Sequence, residues 1–222
     1  MPSDVLQLTA RALLFDMDGT LVDSTEVVEV AWTRFAERFG IDPAELLSAV
    51  HGIRAEESIR RWTPSGTDVA TVAEELNAFE IQEAGQTRAV DGASEFLDAV
   101  PLAAHALVTS ATLPLAVARM KGAGIRLPQL VVSAEDVPRG KPAPDVYLLA
   151  AELLGVTPGD AVVFEDAEAG IRAGLAAGMR VVVVGSHTSE STAGLPRITS
   201  YSGASVDVDG NGALRIRLRA TG

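Results

Sequence analysis

Cysteine is missing from the chain. That excludes a disulfide framework, a thiolate metal site and a thiol nucleophile. Lysine is scarce as well: only Lys121 and Lys141 stand among the 18 basic residues. Positive charge of either kind is outnumbered by 30 acidic residues, for a formal net charge of -12. Nucleic acid and anionic membranes both require clustered cations, so neither partner is expected. Long apolar runs are absent too. The longest purely aliphatic stretch, VVVV at 181–184, is far too short to span a bilayer. The opening residues lack the basic start and apolar stretch of a secretory signal. The expectation is a soluble cytoplasmic protein, monomeric or weakly dimeric.

What is present suits a globular fold. The 222 residues are 47% hydrophobic and 22% charged, enough for one domain with an insertion or for two small domains. Short apolar runs read as buried strands: ALLF (12–15), HALVT (105–109), LVVS (130–133), AVVFE (161–165) and RVVVV (180–184). From 105 onward, helical segments separate them, and that alternation predicts parallel crossover units in a doubly wound α/β sheet. Between the first run and the rest, residues 23–88 read as almost wholly helical. DSTEVVEVAWTRFAERFG, PAELLSAV, AEESIRRW and VATVAEELNAFEIQEAG carry apolar residues at helical spacing. In the first of these, Ser24 or Asp23 can cap the start and Gly40 can close the end. The chain is therefore expected to fold as a core of residues 1–22 and 89–222 with a helical insert at 23–88. The tail, ASVDVDGNGALRIRLRA, alternates around a turn and predicts an antiparallel hairpin. Its DVDGNG resembles a Ca²⁺ loop, but the twelfth position is Leu218 rather than Glu, so the turn is the better reading.

Polar residues gather at the ends of the core strands. LLFDMDGTL at 13–21 is an apolar strand running into two aspartates, and residues two apart on an extended chain share a face. Asp16 and Asp18 can therefore look into one site at the carboxyl edge of the sheet, where open α/β folds bind ligands. Thr109 and Ser110 end another strand, Glu165 and Asp166 a third, and Lys141 sits in the loop after a fourth. Taken singly, each has an ordinary explanation. Thr109 suits a strand, Lys141 a solvated loop, the acidic pair a helix N-terminus, and D-x-D-G an acidic turn. As a set they match phosphoryl transfer. A carboxylate can attack a phosphate monoester only where the charge around it is neutralised, as by Mg²⁺ on hard oxygen ligands. A lysine and a hydroxyl can hold the other phosphate oxygens. A second carboxyl group can carry the proton, since neighbouring acids split each other's pKa values.

DMDGT, VTS, GKPAPDVY and FEDAEAGIRAG, in that order, resemble the four motifs of the haloacid dehalogenase superfamily. The insert resembles that superfamily's small helical cap. Within it the chain is most similar to the β-phosphoglucomutase-like branch, which includes sugar, hexitol and glycerol phosphatases. The resemblance implies an Mg²⁺-dependent phosphatase of small sugar or polyol monophosphates, working through an aspartyl-phosphate on a Rossmann-like core. It makes Asp16 the nucleophile and Asp18 the acid/base, the latter also lending a backbone carbonyl to the metal. Thr109 and Lys141 bind phosphate, with Ser110 beside the substrate. Asp166 ligates the metal, and Glu165 does so directly or through water. HGIRAEESIRRW at 51–62 resembles the specificity segment of the cap and sets His51, Gly52 and Arg54 over the substrate; a structural role at a helix end is equally open for His51. His105 and His187 fall on no motif. Other functions fit less well. A phosphorylated receiver places its acidic pair ahead of the acceptor and carries no such insert, and a dead binding protein would not keep every motif residue.

A phosphosugar mutase is the enzyme alternative, and it needs a cationic grip on a second phosphate. The places that serve this in the mutases fall on Val28 and Ala55 here. Incubation with β-glucose 1-phosphate is therefore expected to release inorganic phosphate or give no reaction. Efficient formation of glucose 6-phosphate would contradict this.

Overall fold

A computed structural model describes residues 5–220. At its centre lies strand β2 (Ala12–Phe15), every residue of which is buried. Leu13 and Phe15 join one apolar cluster and Leu14 another, because successive side chains point to opposite faces of a sheet. A strand so enclosed has no room for polar residues until it ends, and Asp16 is the first residue beyond it.

The sheet around β2 is parallel and six-stranded. β5 (His105–Val108), β6 (Val131–Val132), β7 (Ala161–Glu165), β8 (Arg180–Val184) and β9 (Arg197–Ile198) complete it in the order β6-β5-β2-β7-β8-β9. Helices α5 (Ala93–Ala99), α6 (Leu113–Gly122), α7 (Asp145–Leu153) and α8 (Glu168–Ala176) connect these strands or lead into them. The doubly wound α/β core expected from the alternation is present. The strand expected at 130–133 shortens to two residues, and α5 and β9 are additions.

The expected tail hairpin is β10 (Ser205–Val208) and β11 (Leu214–Arg219), and it acquires a third strand. β1 (Val5–Ala10) pairs with β11 along its whole length, from Val5 opposite Arg219 to Ala10 opposite Leu214. The core strand ending at Asp16 is thus second in the chain, not first. In the hairpin turn, Asp209 Oδ1 accepts the backbone N–H groups of Asn211 and Ala213, an Asx-type turn in place of a Ca²⁺ loop.

Four helices fill the insert, as the sequence predicts: α1 (Thr25–Phe39), α2 (Pro43–Val50), α3 (Ala55–Trp62) and α4 (Val69–Glu83). They share an apolar cluster of their own that includes Trp32, Phe35, Leu46, Ile59, Val72 and Leu76. Gly40 closes α1 at φ 68°, a left-handed conformation that costs glycine little. The chain enters and leaves this helical cap through two short antiparallel strands. These are β3 (Val22–Asp23) and β4 (Arg88–Ala89), with Asp23 opposite Arg88.

Beside this crossing, α6 presses on the segment that follows α4. Thr87 Oγ1 donates to the carbonyls of Ala84 and Arg119. A Cβ on Gly122 would overlap the Ala84 carbonyl and the Thr87 hydroxyl. Gly122→Ala is therefore expected to destabilise the protein by about 1–3 kcal/mol, the usual cost of overpacking. Urea unfolding followed by circular dichroism checks it; an unchanged midpoint would show that the seam yields freely.

Candidate active site

Lys141 is 0% exposed, and three acceptors take the three protons of its ammonium. Nζ lies 2.5 Å from Asp16 Oδ1, 2.8 Å from Glu165 Oε1 and 3.1 Å from the Val108 carbonyl. Burial on its own would drive this lysine toward the neutral form. The charges of Asp16 and Glu165 outweigh burial, and its pKa stands above that of a free lysine.

Glu165 is saturated. Oε1 accepts from Lys141 and, at 3.0 Å, from the Tyr147 hydroxyl; Oε2 accepts from the N–H groups of Asp166 and Ala167 at 2.9 and 3.1 Å. A carboxylate offers about four lone-pair sites, so protein donors use all of them. The side chain holds Lys141 and the start of α8 together.

Asp16 and Asp166 are less fully served. Each brings a carboxylate oxygen within 4.8 Å of the other's and of Glu165's. Burial first, then the repulsion of Glu165 and Asp18, raises the pKa of Asp16 above the carboxylate range despite the pull of Lys141. Burial, followed by Glu165 and Asp16, does the same to Asp166. Ionised together, the three carboxyl groups would set an excess of negative charge on hard oxygens against one ammonium. A hard divalent cation such as Mg²⁺ suits that set. Gly19 makes room for Asp166, because a Cβ there would overlap its carboxylate.

Asp18 is held from two sides. Oδ1 accepts from Ser24 Oγ and Oδ2 from Arg119 Nη1, both at 2.7 Å. Ser24 does stand at the N-cap position of α1, but its hydroxyl is turned to Asp18 and does not cap the helix. Arg119, 4% exposed, also donates through Nη2 to Oε1 of Glu80 on α4, at 2.8 Å. An ion triad, buried at Arg119 and Glu80 and half-buried at Asp18, thus joins Asp18, a core helix and a cap helix. Burial, strengthened by the charge of Asp18, raises the carboxyl of Glu80 to about 7 against the attraction of Arg119.

The other expected residues are spread between cap and core. Thr109 is buried just past β5, and its Oγ1 accepts the Ala111 N–H. Ser110 Oγ donates to the Gly52 carbonyl across the cleft at 2.8 Å. Gly52, at φ 74°, lies against Ala167. Arg54 spans the cleft as well, donating through Nη2 to the Val137 carbonyl at 2.8 Å. His51 is exposed and makes no hydrogen bond among the described residues, yet it lines the cavity. That cavity, about 820 Å³, runs from Asp16 and Asp166 out between cap and core. His187, which no motif marks, also lines it and meets Glu168 at 3.1 Å; His105 is instead buried against the Pro101 carbonyl.

The family model of the haloacid dehalogenase-like hydrolases matches residues 10–178. The chain belongs to this family. Among curated relatives of this hydrolase, hexitol phosphatase A of Escherichia coli (strain K12) is 44% identical over 80% of this chain and 84% of its own. Glycerol-1-phosphate phosphohydrolase 2 of Saccharomyces cerevisiae is 31% identical over 80% and 75%. Among solved structures, CbbY from Rhodobacter sphaeroides in complex with phosphate superposes with a TM-score of 0.74 at 25% identity, covering 87% of this chain and 95% of the other.

Several contributors to the hydrolase's site lie outside the residues singled out from sequence: Tyr147, Gly170, Glu80 and Arg119. A Cβ on Gly170 would overlap the Glu165 carboxylate, which four donors pin in place. Gly170→Ala is therefore expected to displace Glu165, and Lys141 with it. The predicted outcome is a loss of at least about tenfold in kcat/KM on every phosphomonoester, with the far-UV circular dichroism spectrum unchanged. Wild-type kinetics in this variant would show that Glu165 is not needed to hold Lys141.

Proposed function

We propose that the protein is an Mg²⁺-dependent phosphatase that hydrolyses small sugar or polyol monophosphates through an aspartyl-phosphate on Asp16. The observation that carries this is the buried Lys141 bracketed by Asp16 and Glu165, with Asp16 and Asp166 at the inner end of a large cavity. The names of the relatives point to the same substrate class, among them hexitol phosphatase A and glycerol-1-phosphate phosphohydrolase 2. The reading also takes residues 1–22 and 89–222 as the catalytic core and 23–88 as the cap. The cap's separate apolar cluster supports that division; residues 1–4 and 221–222 lie outside the described residues. A cytoplasmic location belongs to this proposal, supported by the absence of any described helix long and apolar enough to cross a membrane.

Asp16, Asp166 and the backbone carbonyl of Asp18 would hold Mg²⁺, which would supply charge neutralisation for the reacting phosphate. Glu165, expected at the metal, has its acceptor sites filled by protein donors and would act on the ion through its charge. Asp16 attacks phosphorus; an O–P bond forms to its carboxylate and the ester P–O bond breaks. Asp18 gives its proton to the leaving alkoxide and then takes one from the water that attacks the aspartyl-phosphate. To do so it must exchange Ser24 or Arg119 for the substrate. Lys141 has all three protons engaged, so it acts on phosphate chiefly by charge and by holding Asp16. Thr109 and Ser110 offer hydroxyls at the phosphate end. The mutase alternative lacks support: Val28 and Ala55 both line the cavity, and neither can grip a second phosphate.

Phosphate release from a panel of sugar and polyol monophosphates is the test. Asp16→Asn should abolish turnover of every one, since an amide is neither anionic nor a comparable metal ligand. Asp18→Asn should keep metal binding but lose about 10²–10⁴-fold in rate. Rapid-quench bursts with p-nitrophenyl phosphate separate the two roles. Wild-type turnover by Asp16→Asn would sink the assignment.

A further inference from the structure

Substrate selection was expected at 51–54, but much of that segment is spent on seating the cap. The Gly52 carbonyl takes Ser110, and Arg54 is committed to the carbonyl of Val137. His51 stays open to the cavity, and a second set of open polar groups lies on α4. Asn77 and Glu80 are three residues apart, so they share one helix face, and both line the cavity. Among the described residues the Asn77 amide has no hydrogen-bond partner. Glu80, 4% exposed, gives one oxygen to Arg119, while its other accepts from nothing. Trp32 of α1, 5% exposed, and Leu115 of α6 line the same cavity and add apolar surface.

The charges sort the ligands this wall can take. Lys141 is matched by Asp16 and Glu165, Arg119 by Asp18 and Glu80, and Arg54 is bound to backbone. α4 itself carries no lysine or arginine, and the open oxygen of Glu80 would repel a second anionic group beside it. A neutral chain of C–OH groups meets every requirement. Its hydroxyls can donate to Glu80 and exchange bonds with Asn77, while its C–H faces lie on the Trp32 ring.

We propose that Asn77, Glu80 and Trp32 form the subsite for the hydroxyl-bearing chain of the substrate, and that Glu80 selects against a second phosphate. The proposal rests on the phosphatase reading above and deepens it. Asn77→Ala should lower the ratio of kcat/KM for sorbitol 6-phosphate to that for p-nitrophenyl phosphate by roughly fivefold or more, the order expected for a lost hydrogen bond. Glu80→Gln keeps an acceptor for Arg119 but removes the charge. It should raise the ratio of kcat/KM for fructose 1,6-bisphosphate to that for fructose 6-phosphate by about tenfold.

A purely structural role would lower all substrates by one factor and leave both ratios where they were; that result overturns the subsite. Asn77 touches no ion pair, so its variant remains informative even if Glu80→Gln fails to fold. If the wild type prefers sorbitol 6-phosphate to p-nitrophenyl phosphate and the ratios stay fixed, the subsite alone falls. If it shows no preference for hydroxylated monophosphates, the substrate class falls and the subsite with it.

Discussion

An ammonium shut away from water between two carboxylates organises this molecule. Lys141 comes from a loop after β6, Asp16 from the end of β2, Glu165 from the end of β7 and the Val108 carbonyl from β5. Burying one of these charges without the others would be prohibitive, and removing one partner from a buried pair costs about 3–5 kcal/mol. The parallel sheet meets this condition because all its strands run the same way. Their carboxyl ends therefore deliver unlike groups to a single edge. Tyr147 of α7 and the first N–H groups of the turn into α8 complete the hydrogen bonding of Glu165. The catalytic centre is thus also the point at which four strands and two helices are held in register.

The cap meets this centre through polar contacts. The Gly52 carbonyl rests on Ser110, Arg54 reaches the Val137 carbonyl and Glu80 faces Arg119. Net contributions of single hydrogen bonds are modest, about 0.5–1.5 kcal/mol each. The apolar clusters of cap and core are separate, so opening the cleft exposes little of either. Such an interface can part and re-form around a substrate without unfolding either side. Ser24 illustrates the same economy: standing where a helix cap belongs, it serves Asp18 instead.

Much of this was legible in the sequence, for identifiable reasons. Asp16, Thr109 and Glu165 end apolar runs, and an interruption at a strand end is visible without any structure; Lys141 stood out as one of only two lysines. The cap helices were legible from their 3.6-residue periodicity. β1 was not, because VLQLTA finds its meaning only in pairing with β11, a partner far along the chain. Nor were β3 and β4, two residues each, too short for any pattern. Arg119 and Glu80 left a fainter trace. On α6 the buried face runs Leu115, Ala116, Arg119, Met120, and on α4 it runs Val72, Ala73, Leu76, Glu80. A charge at a core-facing position of each helix was there to be read, but only the fold shows that the two answer each other. Gly170 lies within a recognised motif, yet its purpose depends on the Glu165 carboxylate against it.

The order of strands across the sheet has a consequence for how the protein acquires its chemistry during synthesis. β2 lies between β5 and β7, so the strand leading to Asp16 emerges early and waits for both neighbours. At ~5–20 residues per second, roughly 8–30 s separates the appearance of Asp16 from that of Asp166. Pairings between such distant segments are slow to form, because the loop must close before any contact rewards it. Through that interval the four helices of the cap can assemble on their own apolar cluster, whose members lie close together in sequence. A nascent chain halted before β7 thus presents Asp16 without Glu165 and Asp166, the carboxylates it stands beside in the finished fold.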